Sequence, residues 1–169
     1  MTKKKQFMEL YEPVHGSFER FCKARSYGVC DVNDLMHDTL VIAFEQFDAL
    51  KNREAFLSFL FGIANKVHAN FRRKNKPLSF ADVKGVENTQ DHSFSVEKNF
   101  QHDELYEALN MLSLDYRNCI ILFEIAGFSL KETAEIQECS VDAVKQRLSR
   151  GRKMLLELLS EKPTKTIAV

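Results

Sequence analysis

The apolar positions of this chain recur at helical spacing almost throughout. From Asp31 they fall at Val32, Leu35, Met36, Leu40, Ala43, Phe44 and Phe47, the i, i+3, i+4, i+7 stripe of an amphipathic helix. From Glu54 a second stripe runs through Phe56, Phe59, Leu60, Ile63, Ala64, Val67 and Phe71. Residues 8–26 also read as helical, interrupted by Pro13 and Gly16. The pattern then fails. From Pro77 to about His102 the sequence is polar and aperiodic, and a structureless stretch of that length inside a compact domain is unusual. Residues 77–102 are therefore read as a flexible linker. A second helical cluster follows from about Asp103 to Leu159, and the tail after Pro163 should fray. The predicted fold class is all-α: two small helical domains, 1–76 and 103–162, joined by that linker and followed by a tail at 163–169.

Within the second cluster, Ser129 precedes Leu-Lys-Glu, so Ser129 and Glu132 have the spacing of a capping box. A short helix over about Leu130–Gln137 would end in the turn Glu138-Cys139-Ser140. Ser140 would cap a longer helix from Val141, with Asp142 in its first turn. A short helix, a tight turn and a longer basic helix form a helix-turn-helix. Projected at 100° per residue, Val144, Leu148 and Leu155 share a packing side with Gly151. Asp142, Gln146, Ser149, Arg150 and Lys153 lie opposite, flanked by Lys145, Arg147 and Arg152. Arg and Gln near the start of such a helix suit base edges, and the flanking bases suit phosphates.

Composition bounds the function. The chain has 169 residues, 44 % of them hydrophobic, enough for a core. Only 6 Gly and 3 Pro argue against a turn-rich β fold. No apolar run is long enough to span a membrane, and Glu9 and Glu12 spoil any signal peptide behind the N-terminal lysines. A cytoplasmic protein without membrane insertion is expected. Cys22, Cys30, Cys119 and Cys139 match no zinc spacing and read as small buried hydrophobes. No phosphate loop, nucleophile motif or metal cluster is evident, so no enzyme activity, cofactor or metal is expected.

Charge sharpens this. Lys plus Arg is 24 and Asp plus Glu is 24, a net charge of zero that alone argues against simple nucleic-acid coating. By segment the balance breaks: residues 1–30 carry +3, 31–50 carry −5, 51–77 carry +6, 78–139 carry −8 and 140–153 carry +4. Two basic blocks separated by acid suggest two anionic contacts held apart. The first clear helix turns Asp34, Asp38, Val41 and Glu45 outward with no neutralising base. That face is either solubilising or a dock for a basic partner. The next helix carries Leu57, Phe61, Asn65, His68 and Arg72 away from its core stripe, and ends in Arg72-Arg73-Lys74-Asn75-Lys76. Aromatic and basic groups together suit single-stranded DNA. Phe61 can equally pack on the N-terminal helix, and His68 reads as a surface histidine.

These residues resemble a known family, the extracytoplasmic-function (ECF) RNA polymerase sigma factors of the sigma-70 family. The likeness covers roughly residues 5–75 and 104–159. In the first half it rests on Asp34-Leu35, Phe44, Ala55-Phe56, Leu60, Ile63-Ala64 and Arg72. In the second it rests on Leu109-x-x-Leu112, Tyr116-Arg117, Gly127-Phe128-Ser129, Glu132-x-Ala134-Glu135-Ile136 and Val144-Lys145-x-Arg147-Leu148-x-Arg150-x-Arg152. The chain departs from the family pattern at His37, Phe59, Gly62, Asn65, Lys66, Asn70, Ser113 and Glu138, the last standing where the turn often has Gly.

The resemblance implies a transcription initiation factor that binds core RNA polymerase, through its β and β′ subunits, and directs it to promoter DNA. Domain 1–76 would dock on polymerase through Asp34, Leu35 and Asp38. The same domain would read and help melt the −10 element with Lys51, Asn52, Arg53, Phe61, Asn65, Lys66, Arg72 and Arg73. Domain 103–162 would read the −35 element with Lys145, Gln146, Arg147, Ser149, Arg150 and Lys153. The acidic linker would run near the RNA exit path. An anti-sigma factor is a further expected partner. The alternatives are a free-standing helix-turn-helix regulator that needs no polymerase dock, and a sigma-like decoy that no longer reads DNA.

Overall fold

The computed structural model describes residues 1–75 and 100–161, so the predicted linker and tail lie almost wholly outside the described residues. The described residues form eight α-helices and no strand. The first half comprises α1 (Lys3–Tyr11), α2 (His15–Ser26), α3 (Val32–Glu45) and α4 (Phe56–Lys74). The second comprises α5 (Phe100–Met111), α6 (Leu114–Ile120), α7 (Leu130–Ile136) and α8 (Val141–Glu161). The all-α class and the helix-turn-helix are as the periodicity predicts.

Local chemistry sets the boundaries. The helical segment expected over 8–26 is two helices joined by a 3₁₀ turn at Glu12–Val14, because Pro13 lacks the N–H that a continuous helix would use. It begins earlier than expected, at Lys3, where the Thr2 hydroxyl accepts from the Lys5 amide. Asp31 caps α3, its carboxylate accepting from the amides of Asn33 (2.7 Å) and Asp34 (3.3 Å). Between α3 and α4, Asn52 caps a further 3₁₀ turn by accepting from the Glu54 amide at 3.0 Å.

The core of the first half is aromatic. The Phe7 ring packs edge-on against Phe44, Phe47 and Phe56, each about 5.3–5.4 Å between centroids. Helix α4 is buried on two sides. Leu60, Ile63, Ala64 and Val67 form the expected core stripe, and Phe61 and His68 on its other side are buried as well. The second side is covered by α2 and by part of the second half.

That cover comes from an irregular segment. Helix α6 loosens into a π turn over Ile121–Ile125, closed by the Ala126 amide donating to the Ile121 carbonyl at 2.9 Å. Gly127 follows with φ +83°, a conformation that only glycine adopts cheaply. Together they swing Ile121, Leu122, Ala126 and Phe128 onto the first half, where they join its core cluster. The other side of α6 faces a separate cluster with Leu109, Leu112, Ala134, Val144 and Leu148.

Helix α6 and α8 approach closely at Gly151. A methyl there would lie 3.0 Å from Ile120 Cδ1 and 3.3 Å from Tyr116 Cβ. The lack of a side chain at 151 is what lets the two helices meet.

Candidate nucleic-acid and polymerase interfaces

The helix-turn-helix is built as its sequence predicts. The Ser129 hydroxyl accepts from the Glu132 amide (3.1 Å), and the Glu132 carboxylate accepts from the Ser129 amide (2.8 Å). The Ser140 hydroxyl caps α8 by accepting from the Ala143 amide at 3.1 Å. Between them Glu138 adopts φ +50°, a left-handed conformation costly for a side chain with a Cβ. That is the turn position where glycine is frequent in the family the chain resembles.

Val144, Leu148 and Gly151 form the buried side of α8. Lys145, Gln146, Ser149, Arg150 and Lys153 are all exposed. Gln146 and Arg150, one turn apart, flank a shallow groove with Ser113, Asp115 and Tyr116. Arg147 is placed differently from its neighbours. Its guanidinium donates to Gln137 Oε1 (3.2 Å), lies 3.5 Å from Cys139 Sγ and pairs with Asp115 at 3.5 Å. It ties α8 to the turn and to α6, so its fork is already engaged within the protein.

In the first half, Lys51, Asn52 and Arg53 lie on an exposed loop beside the start of α1. Arg53 donates to Gln6 Oε1 at 3.3 Å, and Lys3 pairs with Asp48 at 2.7 Å. Lys66, Arg72 and Arg73 are exposed on α4. Asn65 is half-buried: it accepts from Arg25 Nε at 3.2 Å and lines a cavity of about 180 Å³ with Phe21, Asp115, Asn118 and Gln137.

Two expected site residues are corrected. Phe61 has 0 % of its surface exposed, wedged between Phe21 (centroids 4.0 Å) and Phe128 (4.7 Å). It holds the core and offers no ring to a base in this arrangement. Leu35 is likewise wholly buried, so it supports α3 from within while Asp34 and Asp38 face solvent. His68, read as a surface histidine, is 3 % exposed. The reason is common to Phe61 and His68: the helical wheel of α4 has one apolar stripe, but the tertiary fold covers a second side.

The acidic face carries apolar surface too. Val41 and Phe44 are 44 % and 37 % exposed beside Asp38. A groove of about 270 Å³ runs between α3 and α4, lined by His37, Asp38, Val41, Ile42, Val67 and Phe71.

Sequence reasoning also missed a cationic cluster. Arg25, Arg72 and Arg117 gather beside His68, and their charges add to burial in lowering His68 and Arg25. Burial, then Arg117 and Arg72, lowers Arg25 to about 10. Burial first, then Arg25, Arg72 and Arg117, lowers His68 to about 4, and its Nε2 has no partner among the described residues. Arg117 spends its donors on the carbonyls of Leu109 (3.0 Å), Asn110 (2.8 Å) and Leu112 (3.2 Å), closing the end of α5. The Tyr116-Arg117 motif marks this residue in the sequence, but not its task. The cysteines are quieter. Cys22 and Cys119 are buried, Cys30 and Cys139 partly so, and all four are free thiols. Burial, helped by Asp31, Asp34 and Asp38, pushes the Cys30 thiol up to about 11.

Among the described residues no helix is long and apolar enough to cross a membrane, and no cluster of His, Cys, Asp or Glu could hold a metal ion. A capped helix-turn-helix with an exposed Gln/Arg face, among described residues that are helical throughout, is the architecture of a DNA-binding protein. Residues 102–155 match the family described as sigma-70, region 4. The chain is 30 % identical over 169 residues to the ECF RNA polymerase sigma factor SigX of Bacillus subtilis, covering 92 % of this chain and 86 % of that one. It is 31 % identical over 145 residues to the RNA polymerase sigma factor NccH of Alcaligenes xylosoxydans, covering 80 % and 78 %. Among solved structures, sigma factor RpoE of Bartonella quintana, crystallised with the anti-sigma factor NepR, superposes with TM-score 0.68 at 28 % identity over 94 % of this chain and 99 % of that one. CnrH, in complex with the cytosolic domain of CnrY, shares the fold with TM-score 0.70 at 24 % identity over 95 % and 91 %. The chain belongs to the ECF RNA polymerase sigma factors. It is a transcription initiation factor that directs RNA polymerase to promoters.

Proposed function

We propose that the two halves divide this work, residues 1–76 serving the −10 element and core polymerase and residues 103–162 the −35 element. The observation that carries this is the exposed α8 face. Gln146 and Arg150 are free to meet base edges, with Lys145, Ser149 and Lys153 on phosphates. Arg147 acts beneath them by fixing α8 against its turn. In the first half, Lys51, Asn52, Arg53, Lys66, Arg72 and Arg73 grip the −10 region, joined by Asn65 once its cavity is accessible. Asp34 and Asp38 dock on a basic surface of polymerase, and Val41 and Phe44 add apolar contact. The solved RpoE of Bartonella quintana is bound to the anti-sigma factor NepR, which supports an anti-sigma factor as a partner here. The protein acts in the cytoplasm, where polymerase is, and supplies no catalytic group of its own.

Run-off transcription with core polymerase on a genomic promoter library tests this reading. Wild type should select a defined set of start sites, and the pair Gln146→Ala with Arg150→Ala should lose that selection. Asp34→Lys with Asp38→Lys should abolish co-purification with core polymerase. Transcription indifferent to the first pair would sink the reading helix, and intact co-purification with the second would sink the dock.

A further inference from the structure

The four cysteines form two unlike pairs. In the first half Cys22 is wholly buried. Cys30 there is held as a thiol, first by burial and then by the carboxylates of Asp31, Asp34 and Asp38. In the second half Cys119 and Cys139 share a cation instead. The Arg147 guanidinium stands 3.5 Å from Cys139 Sγ in the turn and also reaches the thiol of Cys119 on α6. Both sulfurs belong to one cluster with Ala134, Val144 and Leu148.

Reactive cysteines sit in partly open, electropositive surroundings, whereas structural ones are buried and inert. Cys139 meets both conditions. It is half-buried and opens on a groove of about 590 Å³, with Lys131, Glu135 and Glu138 on the same rim. Those two carboxylates oppose anionic reagents and leave the groove to a small neutral one. Cys119 is wholly buried, so solvent cannot reach its sulfur, but the sulfur of Cys139 can.

We propose that Cys139 is a hydroperoxide-reactive thiol with Cys119 as its resolving partner, and that their disulfide withdraws the α8 face from DNA. The Cys139 sulfur attacks one oxygen of the hydroperoxide and the O–O bond breaks. The products are a sulfenic acid and water or an alcohol, which takes up the thiol proton. The Cys119 sulfur then attacks the Cys139 sulfur, the S–O bond breaks, and hydroxide leaves as water with the Cys119 proton. Two thiols lose two electrons in all, and the hydroperoxide gains them. The new bond ties α6 to the turn and takes from Arg147 its sulfur contacts. The Ser140 cap adjoins Cys139, and Arg147 lies between Gln146 and Arg150 on α8, so the reading face moves with the turn. The loss of promoter reading rests on the role of α8 proposed above, whereas the disulfide does not.

The test treats the full chain with hydrogen peroxide, removes the excess with catalase, and only then adds core polymerase. Peptide mapping without reductant should show Cys119 joined to Cys139 with the loss of two hydrogens. Cys139 should react at least about tenfold faster than Cys30. Cys119→Ala should stop at a sulfenic acid on Cys139, trapped by dimedone, and Cys139→Ala should form neither product. Circular dichroism checks that both variants fold. Where Cys119→Ala does not, dimedone trapping on wild type during the first seconds of oxidation supplies the same reading. Run-off transcription from one selected promoter should fall about tenfold on oxidation and recover with dithiothreitol, and Cys139→Ala should be insensitive. Reaction at Cys22 or Cys30 first, or no bond between Cys119 and Cys139, overturns the site. A disulfide that forms while transcription holds overturns the switch. If the reduced protein itself selects no promoter, the α8 reading falls and the mass measurements still decide the thiol chemistry.

Discussion

The ring of Phe61 meets the ring of Phe128 edge-on at 4.7 Å, one of the contacts that join α4 to the helix-turn-helix half. Phe61 is wholly buried there. Phe61→Ala should therefore lower the stability of the free protein by about 3–4 kcal/mol, the cost of emptying a packed aromatic site. Urea unfolding followed by circular dichroism measures this. A loss below about 1 kcal/mol would mean that the ring is not buried in solution.

His68 makes stability depend on pH. Its folded value lies near 4, held down first by burial and then by three arginines, against about 6.5 when unfolded. The unfolded chain therefore binds the extra proton first as pH falls. The neutral histidine contributes stability fully above about pH 6.5, and that contribution is lost progressively down to about pH 4. The expected loss is on the order of 2–3 kcal/mol across that window. His68→Leu should flatten the dependence, which thermal melts at pH 7.5 and pH 4.5 would reveal as a smaller difference between the two midpoints.

Glu138 holds φ +50° in the turn between α7 and α8. Glycine takes that conformation without the clash of a Cβ, so Glu138→Gly should stabilise the protein by about 1 kcal/mol. Chemical denaturation with an unchanged slope would report the gain as a higher midpoint. A lower midpoint would show that the turn relaxes away from the left-handed region.

The two arginines at 147 and 150 should separate cleanly. Arg150 is exposed, and Arg150→Ala should weaken promoter-specific binding by about 1–3 kcal/mol, with stability unchanged within about 0.5 kcal/mol. Arg147 is held by Gln137 and Asp115, and Arg147→Ala should cost about 1–2 kcal/mol of stability. Thermal melts paired with transcription from one promoter distinguish them. Equal melting of both variants would show that the internal bonds of Arg147 contribute little.

Gly151 is a tighter test of packing. A methyl at that position meets Ile120 at 3.0 Å and Tyr116 at 3.3 Å. The helix-propensity gain of Gly151→Ala is about 1 kcal/mol, and overpacking costs about 1–3 kcal/mol. The net expectation is a loss of stability, read as a lower melting midpoint.

Much of this protein follows from its sequence because the deciding interactions are local. The caps at Asp31, Ser129 and Ser140 use bonds spanning two or three residues, and the sides of α8 follow from a fixed helical period. The exposed polar side of α8, the acidic side of α3 and the family itself were legible for that reason. What surrounds α4 was not. Periodicity identifies one apolar stripe, but whether a helix is covered on one side or two depends on elements far along the chain. Phe61 is buried by a residue 67 positions later, delivered by a π turn and a left-handed glycine that no local pattern encodes. Long-range packing likewise buried His68, gave Arg147 its internal partners, and gathered Arg25, Arg72 and Arg117 from three helices. Sequence determined which helices form and which surfaces carry charge. Tertiary structure alone decided which of those surfaces remain open, because coverage is set by contacts between distant segments and not by the spacing within any one of them.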